Sequence, residues 1–248
     1  MTEHKPLISI ITITYNAAGV LTPTMKSVKG QSFTDYEHII IDGASKDNTL
    51  EIARSLGGKS MRILSEHDKG LYDAMNKGLA MAKGEYVLFL NAGDSFHSSD
   101  TLAAYGRVTK SKPDIIYADT VIVNKVRRVI APRHLSAPAL LSFRSFAQGM
   151  LVCHQAFMVR KAIAPSYDLQ YRFSADYDWT VKCLKKTKPG KCINLNMVAI
   201  DYLNDGLTDK NKLKSLRERF NIMCRHYGVF STLLNHLKFI GRAIKRKF

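Results

Sequence analysis

The chain has 248 residues, of which 46% are hydrophobic and 23% charged, a composition typical of one large folded domain or two small ones. No run of 18 apolar residues occurs, which excludes a membrane-spanning helix, and the four scattered cysteines lack the spacing of a zinc site. The net charge of +16 is uneven. Residues 1–106 carry 10 Lys and Arg against 12 Asp and Glu, whereas residues 107–248 carry 27 against 9. This asymmetry predicts an anionic partner for the second half, with nucleic acid, an anionic membrane or a pyrophosphate-bearing substrate as the alternatives.

The first half of the chain alternates apolar, β-branched segments with helical patterns. Strands are predicted at residues 7–14, 38–42, 61–65 and 86–91. Helices are predicted at 23–29, from Asp47 toward Leu56, and over 71–82, where apolar residues recur on one helical face. Strands that alternate with helices imply right-handed βαβ crossovers. We therefore expect an α/β fold with a Rossmann-like, mostly parallel sheet flanked by helices.

The second half is less regular. A strand is expected at 115–117, a strand pair within 121–130 and a loop at 142–147. A short helix follows at 177–185 and a strand at 193–200, and from residue 210 onward the pattern is helical and basic.

Polar side chains follow all four predicted strands of the first half. They are Thr14, Tyr15 and Asn16 after the first strand, Asp42 and Ser45 after the second, Glu66 and Asp68 after the third, and Asn91 and Asp94 after the fourth. Each cluster alone is typical of a turn. Ligands of parallel α/β sheets bind beyond the carboxyl ends of the strands, so four such clusters at one edge favour a ligand site. Asp94 suits Mg²⁺ or Mn²⁺ there, with an Asx turn or a cap of a helix over 101–108 as its alternative.

Four stretches of the sequence carry a family resemblance. They are ISIITITYNAA (8–18), IIIDGASKDNT (39–49), SEHDKGLYDAMNKGLAMAKGEYVLFLNAGD (65–94) and SADYDW (174–179). Over residues 7 to about 180 the chain resembles the family 2 glycosyltransferases, inverting enzymes with the GT-A fold. It most resembles members that build bacterial surface polysaccharides such as capsule, colanic acid or O-antigen. The resemblance implies metal-dependent transfer of a sugar from a nucleotide-sugar donor, with UDP preferred, to a saccharide or lipid-linked saccharide acceptor.

The segment pattern, together with four cysteines that we expect to be reduced and mostly buried, also predicts an organisation and a location. We expect a GT-A domain over 1–205, with a donor half (1–106) and an acceptor half (107–205), followed by a basic helical tail over 206–248. The protein is expected to be cytoplasmic, at the inner face of the cell membrane if its tail binds lipid.

Roles at matching positions follow from the resemblance. The implied donor-binding residues are Thr14, Tyr15, Asn16, Asp42, Asp68, Lys69, Asp73, Asn76 and Asn91. Asp94 would hold the divalent metal, Mn²⁺ or Mg²⁺, and Asp176 would be the catalytic base. The chain departs from the family pattern twice. Gly43 follows Asp42 where a second aspartate is usual, and the metal motif, residues 91–94, has Asp94 as its one carboxylate.

The expected acceptor side contains His154, Gln155, Tyr171, Arg172 and Asp178. His154 lies in an apolar stretch and fits a packed core residue equally well. An acid two residues from Asp176 would raise the proton affinity of Asp176 by like-charge repulsion, with helix capping as the alternative for both acids.

The end of the chain has the pattern of a basic amphipathic helix. Its apolar stripe is Leu233, Leu237, Ile240, Ile244 and Phe248, and its charge comes from Lys238, Arg242, Lys245, Arg246 and Lys247. Such a helix is typical of anionic-membrane binding, with packing on the core as the alternative.

Three other functions are alternatives. A sugar-phosphate nucleotidyltransferase would have a Gly- and Arg/Lys-rich loop where this chain has TYNAAG. The absence of Walker A, GxGxxG and GxSxG motifs argues against an NTPase, a dehydrogenase and a hydrolase. A nucleic-acid-binding protein fits the charge but lacks a recognisable motif, so we expect no nucleic-acid partner. The two glycines, Gly43 and Gly93, leave open a degenerate transferase that acts as a binding partner.

Overall fold

The computed structural model describes residues 5–204 and 211–245, and it confirms the expected α/β class. The strands are β1 (Ile8–Thr14), β2 (Tyr36–Asp42), β3 (Met61–Ser65), β4 (Tyr86–Phe89), β5 (Ser95–Phe96), β6 (Ile115–Val123), β7 (Val129–Pro132), β8 (Phe157–Arg160) and β9 (Cys192–Leu203). The helices are α1 (Ala18–Lys29), α2 (Thr49–Leu56), α3 (Leu71–Met81), α4 (Thr101–Val108), α5 (Ala175–Lys186), α6 (Lys212–Tyr227) and α7 (Val229–Lys245). The strands form one sheet in the order β3-β2-β1-β4-β8-β6-β9-β5, and β7 pairs with β6.

The first half of the sheet is parallel, as the alternating pattern predicted. β1 lies between β2 and β4 and runs parallel to both. All seven residues of β1 are buried, because its two faces are covered. Ile8 and Ile10 belong to one hydrophobic core cluster, whereas Ile11 and Ile13 belong to another. Successive side chains of a strand point to opposite faces of the sheet.

Helix α3 packs closely on the parallel strands because of a glycine in its second half. A Cβ at Gly78 would lie 2.4 Å from the Cγ2 atom of Ile11 in β1. The side chains of Ala74 and Met75 on the same helix are also buried. This packing fixes the first turn of α3 beside the ends of β1 and β2.

The second half of the sheet is mixed. β8 is antiparallel to both β4 and β6, and β6 pairs parallel with the long strand β9. The predicted strand pair within 121–130 is confirmed as the β6–β7 hairpin. Helix α5 begins at Ala175, two residues before the predicted start, so that Asp176 lies inside its first turn.

The last two helices, α6 and α7, pack on each other and against the rest of the chain. The expected boundary between residues 205 and 206 falls in the segment outside the described ranges. The same is true of Arg246, Lys247 and Phe248, and of the side chains from Ile240 to Lys245. No helix within the described ranges is long and apolar enough to cross a membrane.

The strand order creates a switch point at β1. From β1 the chain moves in one direction to β2 and β3, and then returns to place β4 on the other side of β1. The loops that follow β1 and β4 therefore diverge, and such a switch point is where doubly wound sheets bind ligands.

Candidate active site

The buried carboxylate of Asp42 lies at the carboxyl edge of the parallel strands. Thr14, Asp42 and Ser65 end three adjacent strands and stand in register. The Thr14 hydroxyl donates to Oδ1 of Asp42 at 2.9 Å and the Ser65 hydroxyl donates to Oδ2 at 2.8 Å. Ser45 adds its backbone N–H and its hydroxyl, at 2.9 and 2.5 Å. Burial raises the pKa of Asp42, but the hydrogen bonds from Ser45, Ser65 and Thr14 outweigh burial and hold that pKa below its usual range.

Tyr15 and Asn16 form the loop above this carboxylate. The Asn16 N–H donates to the Ser45 hydroxyl at 2.8 Å, and its side-chain oxygen accepts the N–H of Lys46 at 2.9 Å. The loops after β1 and β2 are therefore joined. Tyr15 is 65% exposed, so its ring is available to stack on a planar ligand.

Gly43 lies directly against the carboxylate of Asp68. A Cβ at Gly43 would lie 2.5 Å from Oδ2 of Asp68 and 3.3 Å from the ring of Tyr15. The other oxygen of Asp68 accepts the N–H of Gly70 at 2.8 Å. The space of the second family aspartate is thus bordered by a carboxylate that comes from the loop after β3.

The predicted donor residues Asp73 and Asn76 on α3 have partners within the protein. Asp73 accepts the N–H of Lys69 at 2.9 Å, as a cap of the helix, and the side chain of Lys69 is exposed. The amide of Asn76 donates to the Tyr167 carbonyl at 3.0 Å and accepts the Tyr167 N–H at 2.7 Å. The Asn76 side chain therefore holds the chain at Tyr167.

Asp94 is buried where β4 leaves the sheet. Its Oδ1 accepts the N–H of Leu203 and its Oδ2 accepts the Gln155 amide, both at 2.9 Å. Burial raises the pKa of Asp94 to about 7, against the opposing effects of the Leu203 N–H, the charge of Arg127 and the Gln155 amide. Arg127 itself, from the β6–β7 turn, donates to the Gly93 carbonyl at 2.7 Å.

Asn91 has an oxygen without a protein partner. Within the described ranges its Oδ1 atom is buried and accepts no hydrogen bond. No group of three or more His, Cys, Asp or Glu side chains in that part of the chain is arranged to hold a metal. One orphaned oxygen and one carboxylate fit a hard cation that takes its remaining ligands from phosphate and water.

Asp176 contacts the donor half through Tyr72, a residue that the sequence analysis did not predict to be in the site. The Tyr72 hydroxyl donates to Oδ1 of Asp176 at 3.1 Å and is the one side-chain partner of this carboxylate in the described part of the chain. Asp176 stands in the first turn of α5, where the helix dipole favours a negative charge. Tyr72 lies among the apolar residues of α3, and its hydroxyl leaves no signal in the helical period.

His154 and Gln155 share one short turn and have different partners. The His154 ring Nε2 lies 2.6 Å from the Tyr167 hydroxyl in a buried aromatic cluster, whereas Gln155 binds Asp94. Burial lowers the pKa of His154 to about 4, against the charge of Asp176, which raises it. His154 is thus a neutral, packed residue, in line with the core alternative.

Asp178 has a different place from the one expected. It is fully buried, and Lys182 and His226 lie 2.6 and 2.7 Å from its two oxygens. Residues two apart on a helix do not share a face, and α5 includes both acids. Asp178 therefore has its charge balanced by its own partners, which corrects the expectation that it acts on Asp176.

Tyr171 and Arg172 lie where α6 meets the loop before α5. Arg225 of α6 donates to the Tyr171 hydroxyl at 3.4 Å, and the Arg172 N–H donates to Glu218 at 2.9 Å. The side chain of Arg172 is exposed.

More than half of the chain matches a known protein family. The family described as "Glycosyl transferase family 2" matches residues 9–166, more than half of the chain. The chain belongs to glycosyltransferase family 2. It is therefore a glycosyltransferase, and its family match ends ten residues before Asp176.

This family 2 protein is similar to a mycobacterial glycosyltransferase and to two solved structures. A "PGL/p-HBAD biosynthesis glycosyltransferase" of Mycobacterium bovis is 33% identical over 225 residues, which cover 85% of this chain and 84% of the relative. The structure of S. aureus TarS 1-349 with UDP-GlcNAc has a TM-score of 0.70, with 16% identity over 94% of this chain and 73% of TarS. The mannosyltransferase PcManGT of Pyrobaculum calidifontis, with GDP-Man and Mn²⁺, has a TM-score of 0.67, with 15% identity over 94% and 71% of the chains. Both structural likenesses confirm the GT-A type of fold.

Proposed function

We propose that this family 2 glycosyltransferase is an inverting enzyme that moves a sugar from a UDP-linked donor to a saccharide or lipid-linked saccharide in surface polysaccharide synthesis. One observation supports the donor class most strongly. At the switch point, the carboxylate of Asp68 and the exposed ring of Tyr15 both lie beside Gly43, the residue that follows Asp42. A stacking ring next to hydrogen-bond acceptors suits a base and a ribose, and the structural neighbours were solved with UDP-GlcNAc or GDP-Man. The preference for UDP over other nucleotides comes from the family resemblance.

Asp176 is the general base of this proposal. Its Oδ1 is bound by Tyr72, and Oδ2 has no hydrogen-bond partner in the described ranges, so one oxygen is left for substrate. That oxygen takes the proton of the acceptor hydroxyl while the hydroxyl oxygen bonds to the anomeric carbon. The bond from that carbon to the diphosphate oxygen breaks with its electron pair, and the nucleoside diphosphate leaves. A single displacement of this kind inverts the anomeric configuration.

Asp94 and Asn91 are the residues proposed to hold a divalent metal. When bound, the metal supplies charge stabilisation for the departing diphosphate. The Mn²⁺ bound with PcManGT supports metal use among proteins of this fold. Gln155 and Leu203 hold the carboxylate of Asp94 in one orientation, as partners of metal ligands commonly do.

The last two helices are proposed to bind an anionic membrane surface. Residues 211–245 contain eight Lys and Arg against one acid. Large apolar side chains are exposed on the same segment, namely Leu213, Leu216, Val229, Phe230, Leu233, Leu234 and Leu237. Basic charge around exposed apolar groups fits anionic lipid, where a lipid-linked acceptor resides.

Vesicle sedimentation tests the membrane proposal. The full-length protein should sediment with vesicles of phosphatidylglycerol at low salt and remain free of phosphatidylcholine vesicles. The double variant Phe230→Ser and Leu237→Ser should lose most of this binding. Equal binding of that variant, or indifference of the wild type to anionic vesicles, would contradict it.

A ligand panel tests the donor. UDP-glucose, UDP-galactose, UDP-GlcNAc and GDP-mannose should be screened by thermal shift with and without Mn²⁺, since a ligand of the native state raises the melting temperature. At least one UDP-sugar should stabilise the protein in a Mn²⁺-dependent manner, and Asp94→Ala should remove the dependence on Mn²⁺. Absence of any shift across the panel would contradict the proposed donor class.

A further inference from the structure

Asp176 stands where three distant segments of the chain meet. Its own helix, α5, supplies the backbone, and the Tyr72 hydroxyl from α3 holds one carboxylate oxygen. The loop just before it, residues 171–174, is held by α6. The reacting carboxylate is therefore oriented by residues 104 positions before it and some 40 positions after it.

Tyr72 is itself fixed by a stack of aromatic rings. Its ring lies 5.7 Å from the ring of Tyr167 at an angle of 22°, and Tyr167 lies 5.0 Å from Trp179 at 9°. Asn76 binds both backbone groups of Tyr167. Burial, with the charges of Asp176 and Glu218 adding to it, raises the pKa of Tyr72 well above its ordinary value. The hydroxyl stays protonated, so it is a permanent donor to the carboxylate.

Glu218 of α6 binds the backbone of the loop that precedes α5. Its Oε1 accepts the N–H of Arg172 at 2.9 Å and its Oε2 accepts the N–H of Phe173 at 2.8 Å. Hydrogen bonds of an ionised carboxylate with backbone N–H groups are among the strong ones. Next to them, the hydroxyls of Ser215 and Ser174 lie 2.9 Å apart. The start of α5 is thus fixed by a helix that lies outside the family match.

We propose that Tyr72 and Glu218 are positioning residues for Asp176, with Tyr72 setting the rotation of the carboxylate and Glu218 setting the start of its helix. This inference rests on the proposed role of Asp176 as the base. Proton transfer requires the base within hydrogen-bond reach of the acceptor hydroxyl, and a small displacement is costly in rate. Helix α6 then positions the catalytic base and is also part of the surface proposed to bind membrane.

Two isosteric variants test the proposal in the full-length protein. Tyr72→Phe keeps the ring and removes the donor, and Glu218→Gln replaces one acceptor oxygen by an amide. Turnover is followed as UDP release from the UDP-sugar selected by the thermal-shift panel, with a lipid-linked saccharide fraction as acceptor, and UDP with Mn²⁺ is the calorimetric probe of donor binding. Each variant should lower kcat by roughly tenfold while the affinity for UDP stays within about twofold.

Matched controls remove the same groups elsewhere. Tyr36→Phe deletes a tyrosine hydroxyl that binds the Val28 carbonyl, and Glu51→Gln changes an exposed carboxylate of α2. Both should keep wild-type kcat. If Glu218→Gln folds poorly, amide exchange at Arg172 and Phe173 in the folded fraction is the second measurement, and unchanged exchange there would contradict the role of Glu218.

The Asp176→Asn background separates positioning from general stability. Because both residues act through Asp176, neither variant should lower the residual rate further once the base is removed. Wild-type kcat in the single variants, an equal loss in the Asp176→Asn background, or a loss of UDP affinity would each overturn the inference. A near wild-type rate of Asp176→Asn alone would instead contradict the proposed function.

Discussion

The donor edge and the base region of this molecule are assembled in different ways. At the donor edge, Thr14, Asp42 and Ser65 are the last residues of neighbouring strands, and the strand register alone brings them together. In the base region, Tyr72 and Glu218 come from distant helices. A site made from strand ends can be read from short motifs, whereas a site made from distant helices depends on how the whole chain packs.

The largest expected effect tests the donor edge. Asp42→Ala leaves the hydroxyls of Thr14, Ser45 and Ser65 without their shared acceptor, and the free energy of unfolding should fall by roughly 3 kcal/mol. Denaturant titration measures it. Asp100→Ala, which loses one exposed hydrogen bond from Ser32, is the control and should cost under about 1 kcal/mol. Equal costs for the two variants would mean that the strand register does not organise this edge.

The next effect concerns the glycine that makes room for Asp68. Gly43→Ala places a Cβ where Oδ2 of Asp68 now lies, so that carboxylate must move. Affinity for UDP should fall by roughly tenfold, about 1.4 kcal/mol, with little change in stability, because the end of a side chain moves rather than backbone. Calorimetry measures the affinity, and Gly58→Ala, where a Cβ meets open space, is the control. Unchanged UDP binding in Gly43→Ala would remove Asp68 from the donor site.

A smaller effect concerns the pH dependence of stability that comes from His154. The unfolded chain protonates His154 as the pH falls through 6.5, but the folded protein does not until about pH 4, because burial lowers the pKa of His154. The unfolded state binds more protons in this window, so stability decreases as the pH falls from 6.5 toward 4, by at most about 1.4 kcal/mol per pH unit.

Comparison of two variants isolates this contribution. His154→Phe should reduce the slope of unfolding free energy against pH between 6.5 and 5, whereas His67→Gln, at an exposed position, should leave it unchanged. Urea titrations at three pH values give the slope. An unaltered slope in His154→Phe would show that this histidine is solvated rather than packed.

Much of the fold was readable from the sequence because its signals are local. The ends of β1, β2 and β3 agree with the predicted strands to within two residues, and α3 follows its apolar period. The antiparallel insertion of β8 between β4 and β6 had no such signal, since strand order depends on pairings between distant residues.

The site was readable to a similar extent. Asp42 ends β2 at the predicted edge, and Asp68 lies there against Gly43, so this departure from the family pattern is accounted for by the carboxylate beside it. The placement of Asp178 was missed because its partner His226 comes from α6, 48 residues later in the chain. The roles of Tyr72 and Glu218 were missed because a helical period cannot show which buried hydroxyl or carboxylate meets a distant loop.

The most direct test of the central claim is the transfer reaction of Asp176→Asn together with the anomeric configuration of the wild-type product. The substitution keeps the shape of the side chain and removes the base, so UDP binding should persist while kcat falls by roughly a hundredfold or more. Nuclear magnetic resonance of the wild-type product should show the anomeric configuration opposite to that of the donor. A near wild-type rate for Asp176→Asn, or a product that retains the donor configuration, would contradict a single displacement with Asp176 as its base.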